Sequence, residues 1–125
     1  NTETLTNLSC STLMCVNGTN STERDGNGNS ATGSYSTISG GANSQASDSY
    51  STVGGGNTNF ALGTDSTVSG GKSGLASGCY SAVGGGGQMG NCASGAYSTV
   101  LGGIDVRATN TYSTASGYLN YTKIL

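Results

Sequence analysis

The stretch Tyr50-Ser51-Thr52-Val53 is one copy of a four-residue phrase that decides the fold. Six copies of this phrase follow one another, and they begin at Tyr35, Tyr50, Asp65, Tyr80, Tyr97 and Tyr112. The steps between them are 15, 15, 15, 17 and 15 residues. A fixed period of this kind is the signature of a repeat protein, so one unit stacked on itself must build most of the fold.

Two further rows keep the same rhythm. An alanine stands four residues before each copy of the phrase, at Ala31, Ala46, Ala61, Ala76, Ala93 and Ala108. A glycine stands five residues after the start of each copy, at Gly40, Gly55, Gly70, Gly85, Gly102 and Gly117. Independent markers that share one period and one interruption define a 15-residue unit, with two extra residues between Tyr80 and Tyr97.

A unit of this length and composition predicts an all-β fold. The glycine density and the β-branched, hydroxyl-rich runs disfavour a helix, and the common helical repeats are longer. Short Ser-Thr-Val strands separated by glycine turns favour a parallel β-solenoid, or β-roll, in which each strand lies above its equivalent in the next coil. We predict about six coils over residues 31–117, a rod roughly 29 Å tall at a strand spacing of about 4.8 Å.

The alternation of side chains along a strand assigns the rows to two faces. Val53 and Ser51 are expected to point inward, and Tyr50 and Thr52 outward. The Val/Ile, serine and alanine rows would then fill a narrow interior, with glycine where the two walls approach closely. Buried serine hydroxyls need hydrogen-bond partners, which we expect to be backbone groups of the turns.

The unit Ala31-Thr32-Gly33-Ser34-Tyr35-Ser36-Thr37-Ile38-Ser39-Gly40 resembles the head repeat of YadA-type trimeric autotransporter adhesins. The phrase Ala-x-Gly-x-x-Ser-x-Val/Ala-x-Gly recurs with substitutions, and the resemblance covers about residues 31–117. It implies a left-handed parallel β-roll, a trimer, and adhesion to extracellular matrix or to other cells. The coils of that family are typically one residue shorter than those found here.

The residues outside the repeats form two further predicted segments. Residues 1–30 are predicted as an N-terminal strand segment followed by a polar linker, and residues 118–125 as a C-terminal strand or cap. The open ends of a solenoid expose unpaired backbone groups. The two end segments therefore either cap a discrete rod or donate a strand to a neighbouring protomer, which would give a filament.

Four cysteines form an even set, which favours an oxidising compartment. Local pairing is expected, with the disulfides Cys10–Cys15 and Cys79–Cys92, and free thiols are the alternative. A bridge around the two extra residues would contribute about 3 kcal/mol. Together with a chain that begins at Asn1 without a leader, the cysteines predict an extracellular location or one at a cell or virion surface.

Four Asn-x-Ser/Thr sequons are candidate glycosylation sites, at Asn7, Asn17, Asn20 and Asn120. In a chain so rich in Asn, Ser and Thr, four is close to the number that chance gives. All four lie outside the predicted coils, which would leave the ladders of the rod free of glycans.

The composition argues against several function classes. The chain has no His, four basic residues and a net charge of −2. It therefore lacks the usual general base and a basic patch for nucleic acid. No apolar run approaches the ~20 residues of a membrane span. We predict a non-enzyme without cofactor, metal site, nucleic-acid partner or membrane span.

Two outward rows carry the functional hypotheses. Stacked outward tyrosines are typical of an interface or a carbohydrate-contacting surface, and the candidates are Tyr35, Tyr50, Tyr80, Tyr97 and Tyr112. They predict a structural subunit of an extracellular fibre or adhesin, which associates with itself through its ends or its outward ladders. The alternative is an ice-binding solenoid, because Thr67-Val68-Ser69-Gly70 resembles phrases of grass antifreeze β-rolls. Its ice-binding row would be Thr37, Thr52, Thr67, Thr99 and Thr114.

Overall fold

The structure, a computed structural model, describes residues 14–15, 17–24, 27–87 and 89–122. These residues form strands and turns, and no helix occurs among them. The strands are short, and in chain order they are β1 (Met14–Cys15), β2 (Thr22–Arg24), β3 (Ser30–Ala31), β4 (Thr37–Ile38), β5 (Gln45–Ala46), β6 (Thr52–Val53), β7 (Phe60–Ala61), β8 (Thr67–Val68), β9 (Leu75–Ala76), β10 (Ala82–Val83), β11 (Cys92–Ala93), β12 (Thr99–Ile104), β13 (Arg107–Ala108), β14 (Thr114–Tyr118) and β15 (Tyr121–Thr122).

The strands form two sheets, to which the successive coils contribute in turn. The first sheet has the order β1-β2-β4-β6-β8-β10-β12-β14, and the second has the order β15-β13-β11-β9-β7-β5-β3. All pairings are parallel except that of β1 with β2. The predicted parallel β-solenoid is confirmed, and the seven strands of the second sheet give it about seven turns instead of six.

Equivalent residues of successive coils lie directly over one another. Val53 pairs in register with Val68, and Val68 pairs with Val83. The longer step does not break the stack, because Val83 pairs with Val100, 17 residues later. Residues 84–91 connect β10 to β11, two more than residues 69–74 in the preceding coil, so the extra residues are absorbed in one connection.

The core is the thin space between the two sheets. Its apolar residues are fully or almost fully buried, and they are Ala31, Ile38, Ala46, Val53, Ala61, Val68, Ala76, Val83, Ala93, Val100, Val106, Ala108 and Ala115. The Val/Ile row comes from the first sheet and the alanine row from the second, and both rows fill the interior as predicted. Each buried valine contributes roughly 1.5–3 kcal/mol to folding. Because most coils bury only one Val or Ile and one Ala, the hydrogen bonds between coils must supply much of the stability of the rod.

The tyrosine of each phrase lies at a turn instead of in a strand, which corrects the alternation expected from the sequence. β6 contains only Thr52 and Val53, while Tyr50 has a left-handed φ of 59°. That conformation costs a non-glycine residue roughly 1–2 kcal/mol. It also directs the Tyr50 N–H along the rod, where it donates to the Ser34 carbonyl of the preceding coil at 2.9 Å. The corners are therefore hydrogen-bonded from coil to coil, as the strands are.

The inward serine row is buried, and its hydroxyls only partly follow the prediction. Ser51 Oγ donates to the Asp48 carbonyl of its own turn at 2.6 Å, and Ser36 and Ser113 bond in the same way. Three buried hydroxyls have no partner among the described residues, and they are Ser66, Ser81 and Ser98. The turns that precede these three serines are closed by backbone hydrogen bonds alone.

A row of asparagines, which the repeat phrase does not reveal, joins the coils in pairs. It occurs in every second coil, at Asn29, Asn59 and Asn91. Asn59 Nδ2 donates to the Gly55 carbonyl of its own coil at 2.7 Å and to the Gly71 carbonyl of the next at 3.0 Å. Its Oδ1 accepts from the Gly74 N–H at 2.8 Å. Each of these side chains therefore satisfies three backbone groups across two coils.

The solenoid begins one coil earlier than predicted. Thr22 pairs in parallel register with Thr37, so residues 17–24 and 27–30 belong to a coil, where a polar linker was predicted. In this coil Glu23 stands at the inward valine position and is only 4% exposed. Its carboxylate accepts a hydrogen bond from the Ala31 N–H at 2.6 Å. The charged group thus satisfies a backbone donor of β3, the edge strand of the second sheet.

The two ends of the chain are described in part. Of the predicted N-terminal strand segment only β1 is described ahead of the first coil, and it adds to β2 in the antiparallel direction. The predicted C-terminal strand over residues 118–125 is represented by the end of β14 and by β15, which stacks in parallel on β13. Residues 123–125 lie outside the described part of the chain.

Candidate contact surfaces

In each coil the chain passes from the second sheet to the first through a turn, and we call this turn the tyrosine corner. One residue per coil occupies it with a left-handed φ of 54–61°, and from the second coil these residues are Tyr35, Tyr50, Asp65, Tyr80, Tyr97 and Tyr112. The five tyrosines are 49–75% exposed. Because each backbone N–H is bonded to the coil before it, the corner places all five rings along one edge of the rod. The predicted interface residues are therefore brought together.

The rings of the tyrosine corner form two stacks. Tyr35 and Tyr50 have ring centroids 5.1 Å apart and planes inclined by 4°. Tyr80, Tyr97 and Tyr112 continue at 4.8 and 5.0 Å, with planes inclined by 6° and 15°. The centroid distances follow the rise from coil to coil. Inner ring faces are therefore covered by neighbouring rings, and the edges and phenol hydroxyls point outward.

The threonine face is the outward side of the first sheet. Its main row begins with three threonines that pair in register and are half-buried, Thr37, Thr52 and Thr67. Ala82 interrupts the row, and Thr99 and Thr114 resume it. Beside it runs a row of serine and glycine that is interrupted by Leu101, which is 64% exposed. The predicted ice-binding residues are thus aligned, on a face with two irregularities.

An apolar groove of about 460 Å³ lies on the outward side of the second sheet. Phe60, Leu75 and Cys92 form its floor in three consecutive coils, and Gly90 and Arg107 contribute to its walls. The repeat phrase does not predict this surface. The sequence feature that could have revealed it is the residue just before each alanine of the alanine row. This residue points outward, and it is apolar in three successive coils.

A polar cluster joins the last two coils of the second sheet. The Tyr121 hydroxyl donates to Asp105, and Arg107 Nε donates to the same carboxylate at 3.2 Å. The guanidinium also lies over the Tyr121 ring, 5.2 Å from its centroid. The hydrogen bond from Tyr121, with the nearby Arg107, holds the pKa of Asp105 below its ordinary value. The same bond raises the pKa of Tyr121.

The cysteines contradict one predicted disulfide. Cys79 and Cys92 are free, so the expected bridge around the extra residues is not formed. Cys92 lies in β11, outward on the second sheet and paired with Leu75, whereas Cys79 lies in the turn that follows β9. The two side chains belong to different rows of the rod. The expected Cys10–Cys15 bridge falls outside the described residues.

Three of the four candidate glycosylation sites are described, and all three are exposed. Asn17 Nδ2 donates to Glu23 at 2.7 Å, and Asn120 Nδ2 donates to the Ser116 carbonyl at 2.8 Å. Asn20 makes no side-chain hydrogen bond within the described part of the chain. Asn7 lies outside that part.

No group of three or more His, Cys, Asp or Glu residues that could hold a metal ion occurs in the described residues. The same residues contain no helix long and apolar enough to cross a membrane. No family model matches the sequence, and no curated protein or solved structure is significantly similar to it.

Proposed function

We propose that the chain is a structural subunit of an extracellular fibre or adhesin, and that its tyrosine corner makes the contacts. The observation that carries this proposal is a row of exposed aromatic rings along one edge of the rod, interrupted once at Asp65. Five tyrosines lie along it at 49–75% exposure. Contiguous exposed apolar surface is uncommon in soluble monomers and usually marks a contact.

The geometry of the rings favours another protein surface as the partner. The facing sides of the stacked rings cover one another, so a flat sugar could not lie between them. Their edges and hydroxyls remain free, and they suit a second rod that brings apolar side chains and hydrogen-bond acceptors. Self-association into a fibre is therefore the first partner to test, and a carbohydrate or an extracellular surface is the second.

The proposed location outside the cell rests on the resemblance of the repeat phrase to adhesin heads and on the accessible sequon at Asn20. Cysteine usage no longer supports it, because Cys79 and Cys92 are free. The same resemblance would make the assembled unit a trimer.

The test is the double variant Tyr80→Ser/Tyr97→Ser, which removes two adjacent rings of the longer stack. We expect wild-type rods to associate in sedimentation velocity and to form trimers or longer assemblies in negative-stain images. The double variant should fold with the same circular dichroism spectrum and should sediment as monomers. Tyr118→Ser is the matched control, because Tyr118 is 70% exposed and lies outside both stacks. Assembly and cell adhesion unchanged in the double variant would refute the contact role.

The threonine face supports a second candidate, ice binding, because Thr37, Thr52 and Thr67 are aligned at the strand spacing. A regular array of hydroxyl and methyl groups is the surface that such a function requires. Its test is thermal hysteresis of the purified protein, with Thr52→Lys as the disruptive variant. Absence of both hysteresis and ice shaping in the wild type would eliminate this candidate.

A further inference from the structure

The tyrosine corner has a gap in one coil. Asp65 occupies the position that tyrosine holds in the coils before and after it, with the same left-handed φ of 54°. Tyr50 uses one ring face to stack on Tyr35, and Tyr80 uses one to stack on Tyr97. Their other faces are directed toward the coil of Asp65. The gap is therefore lined by two aromatic faces and one carboxylate.

The width of the gap limits the groups that fit between the two rings. Two coils at about 4.8 Å each separate the Tyr50 and Tyr80 rings by roughly 9.6 Å. A flat ring at the midpoint would lie about 4.8 Å from each face, which is the spacing of the stacked tyrosines, so the width alone also admits such a ring. A cation at the midpoint would lie about 4.8 Å from each ring centroid, within the ~6 Å range of a cation–π interaction. The spacing therefore places a bound cation within reach of both rings.

The charge of the gap points the same way. Asp65 is exposed, and its carboxylate makes no hydrogen bond or ion pair with the described residues. Asp48, in the preceding coil, differs, because its carboxylate accepts bonds from Thr64 Oγ1 at 3.0 Å and from the Ser49 N–H at 2.8 Å. The carboxylate in the gap is thus the one left free for an external partner.

We propose that Tyr50, Asp65 and Tyr80 form a binding site for an organic cation, specifically a quaternary or methylated ammonium group. Methyl groups on the nitrogen contact both aromatic faces, the rings attract the positive charge, and Asp65 neutralises it. The chemistry is shared by the choline headgroup of a lipid and by a trimethylated lysine side chain. The site does not depend on fibre formation, since all three residues belong to one rod.

The direct test is an NMR titration of the wild-type protein with tetramethylammonium chloride, against sodium chloride at equal ionic strength. Ring currents from two tyrosines should move the methyl resonance upfield, with a dissociation constant in the millimolar range. Asp65→Asn should weaken binding roughly fivefold, the effect of removing one exposed charge at about 4–5 Å. Asp48→Asn is the matched control and should leave the affinity unchanged.

Asp65→Tyr separates loss of the site from loss of the fold. It fills the gap with the residue that the repeat uses elsewhere, so the rod should keep its circular dichroism spectrum while the tetramethylammonium shift disappears. A wild-type protein that gives no upfield shift, or an Asp65→Tyr protein that binds as the wild type does, would overturn the proposal.

Two further arms identify the source of the cation. Co-sedimentation with phosphatidylcholine vesicles, abolished in Asp65→Tyr, would assign the site to a lipid headgroup. Binding of a peptide with trimethyl-lysine over the same peptide with unmodified lysine would assign it to a modified protein. Sedimentation velocity on the same samples reports self-association separately, so failure of the fibre proposal and failure of the cation site give different results.

Discussion

Asn59 Oδ1 accepts a hydrogen bond from the backbone N–H of Gly74, 15 residues later, at 2.8 Å. The bond brings Oδ1 close to its partner residue, since a Cβ at Gly74 would lie 3.2 Å from it. Asn29 and Ser44, and Asn91 and Val106, repeat the relation. Asparagine therefore occupies this position in every second coil, and a different residue type occupies it in the coils between.

We expect Asn59→Ala to destabilise the rod strongly. The Asn59 side chain is fully buried, and its loss would leave three backbone groups without this partner. At about 1–3 kcal/mol for each buried group left unsatisfied, a loss of at least 2 kcal/mol is expected. Chemical denaturation measures it. Asn57→Ala is the control, since Asn57 is exposed and should change stability by less than about 0.5 kcal/mol. Equal effects of the two variants would contradict this role.

Two glycines of the repeat should respond oppositely to alanine. A Cβ at Gly78 would lie 2.2 Å from the Gly95 carbonyl oxygen of the next coil, so the coils would have to move apart. A Cβ at Gly70 would meet nothing within 4 Å. Gly78→Ala should therefore prevent or strongly weaken folding, while Gly70→Ala should be neutral or should stabilise by up to about 1 kcal/mol through the unfolded state. Thermal unfolding of both proteins checks this, and a folded, stable Gly78→Ala would show that the coils can separate.

The sequence predicts the stacking because the coil spacing is periodic and each row repeats one residue type. Val53 over Val68 follows directly from the phrase. The tyrosine turn does not follow, because alternation along a strand and a left-handed corner both place Tyr50 outward, and only φ distinguishes them. The first coil was missed because Glu23 replaces valine and Asn20 replaces tyrosine, which removes both markers.

The surfaces were predictable to different degrees. The tyrosine and threonine rows are part of the repeat phrase, so their alignment could be read from it. The groove at Phe60, Leu75 and Cys92 was not, because the residue before each alanine varies from coil to coil and only the fold shows that it points outward. The disulfide prediction was wrong because nearness in sequence does not place Cys79 and Cys92 in the same row.

The free thiols give a prediction that distinguishes the two interpretations of the cysteines. Cys79→Ser should change the free energy of unfolding by less than about 0.5 kcal/mol, since Cys79 is exposed at a turn. A disulfide with Cys92 would instead make the loss about 3 kcal/mol. Peptide mapping after maleimide treatment of the native protein should find Cys79 modified and Cys92, which is half-buried, modified more slowly. If Cys79 reacted with maleimide only after a reductant was added, the result would show that the Cys79–Cys92 disulfide is formed after all.

The cluster of Asp105, Arg107 and Tyr121 should make the last coil sensitive to pH in both directions. The pKa of Asp105 is lowered in the folded protein, mainly by the hydrogen bond from Tyr121 and further by Arg107. Its contribution to stability is therefore complete above the ordinary carboxyl pKa of about 4 and is lost as pH falls through the lowered value. The pKa of Tyr121 is raised, chiefly by Asp105. Its contribution is complete below about pH 10 and is lost as pH rises through the raised value.

Tyr121→Phe tests this coupling because it removes the hydroxyl and keeps the ring beneath Arg107. An NMR titration of the Asp105 carboxyl group should show its pKa moving back toward the ordinary value in this variant. The protection of β15 amides against hydrogen exchange, relative to the intrinsic rate at each pH, should fall below pH 4 in the wild type, and in Tyr121→Phe it should already be low at pH 6. Tyr118→Phe, a change of the same kind at an exposed tyrosine in β14, should alter neither measurement. An Asp105 pKa that is the same in the wild type and in Tyr121→Phe would show that Arg107 alone sets it.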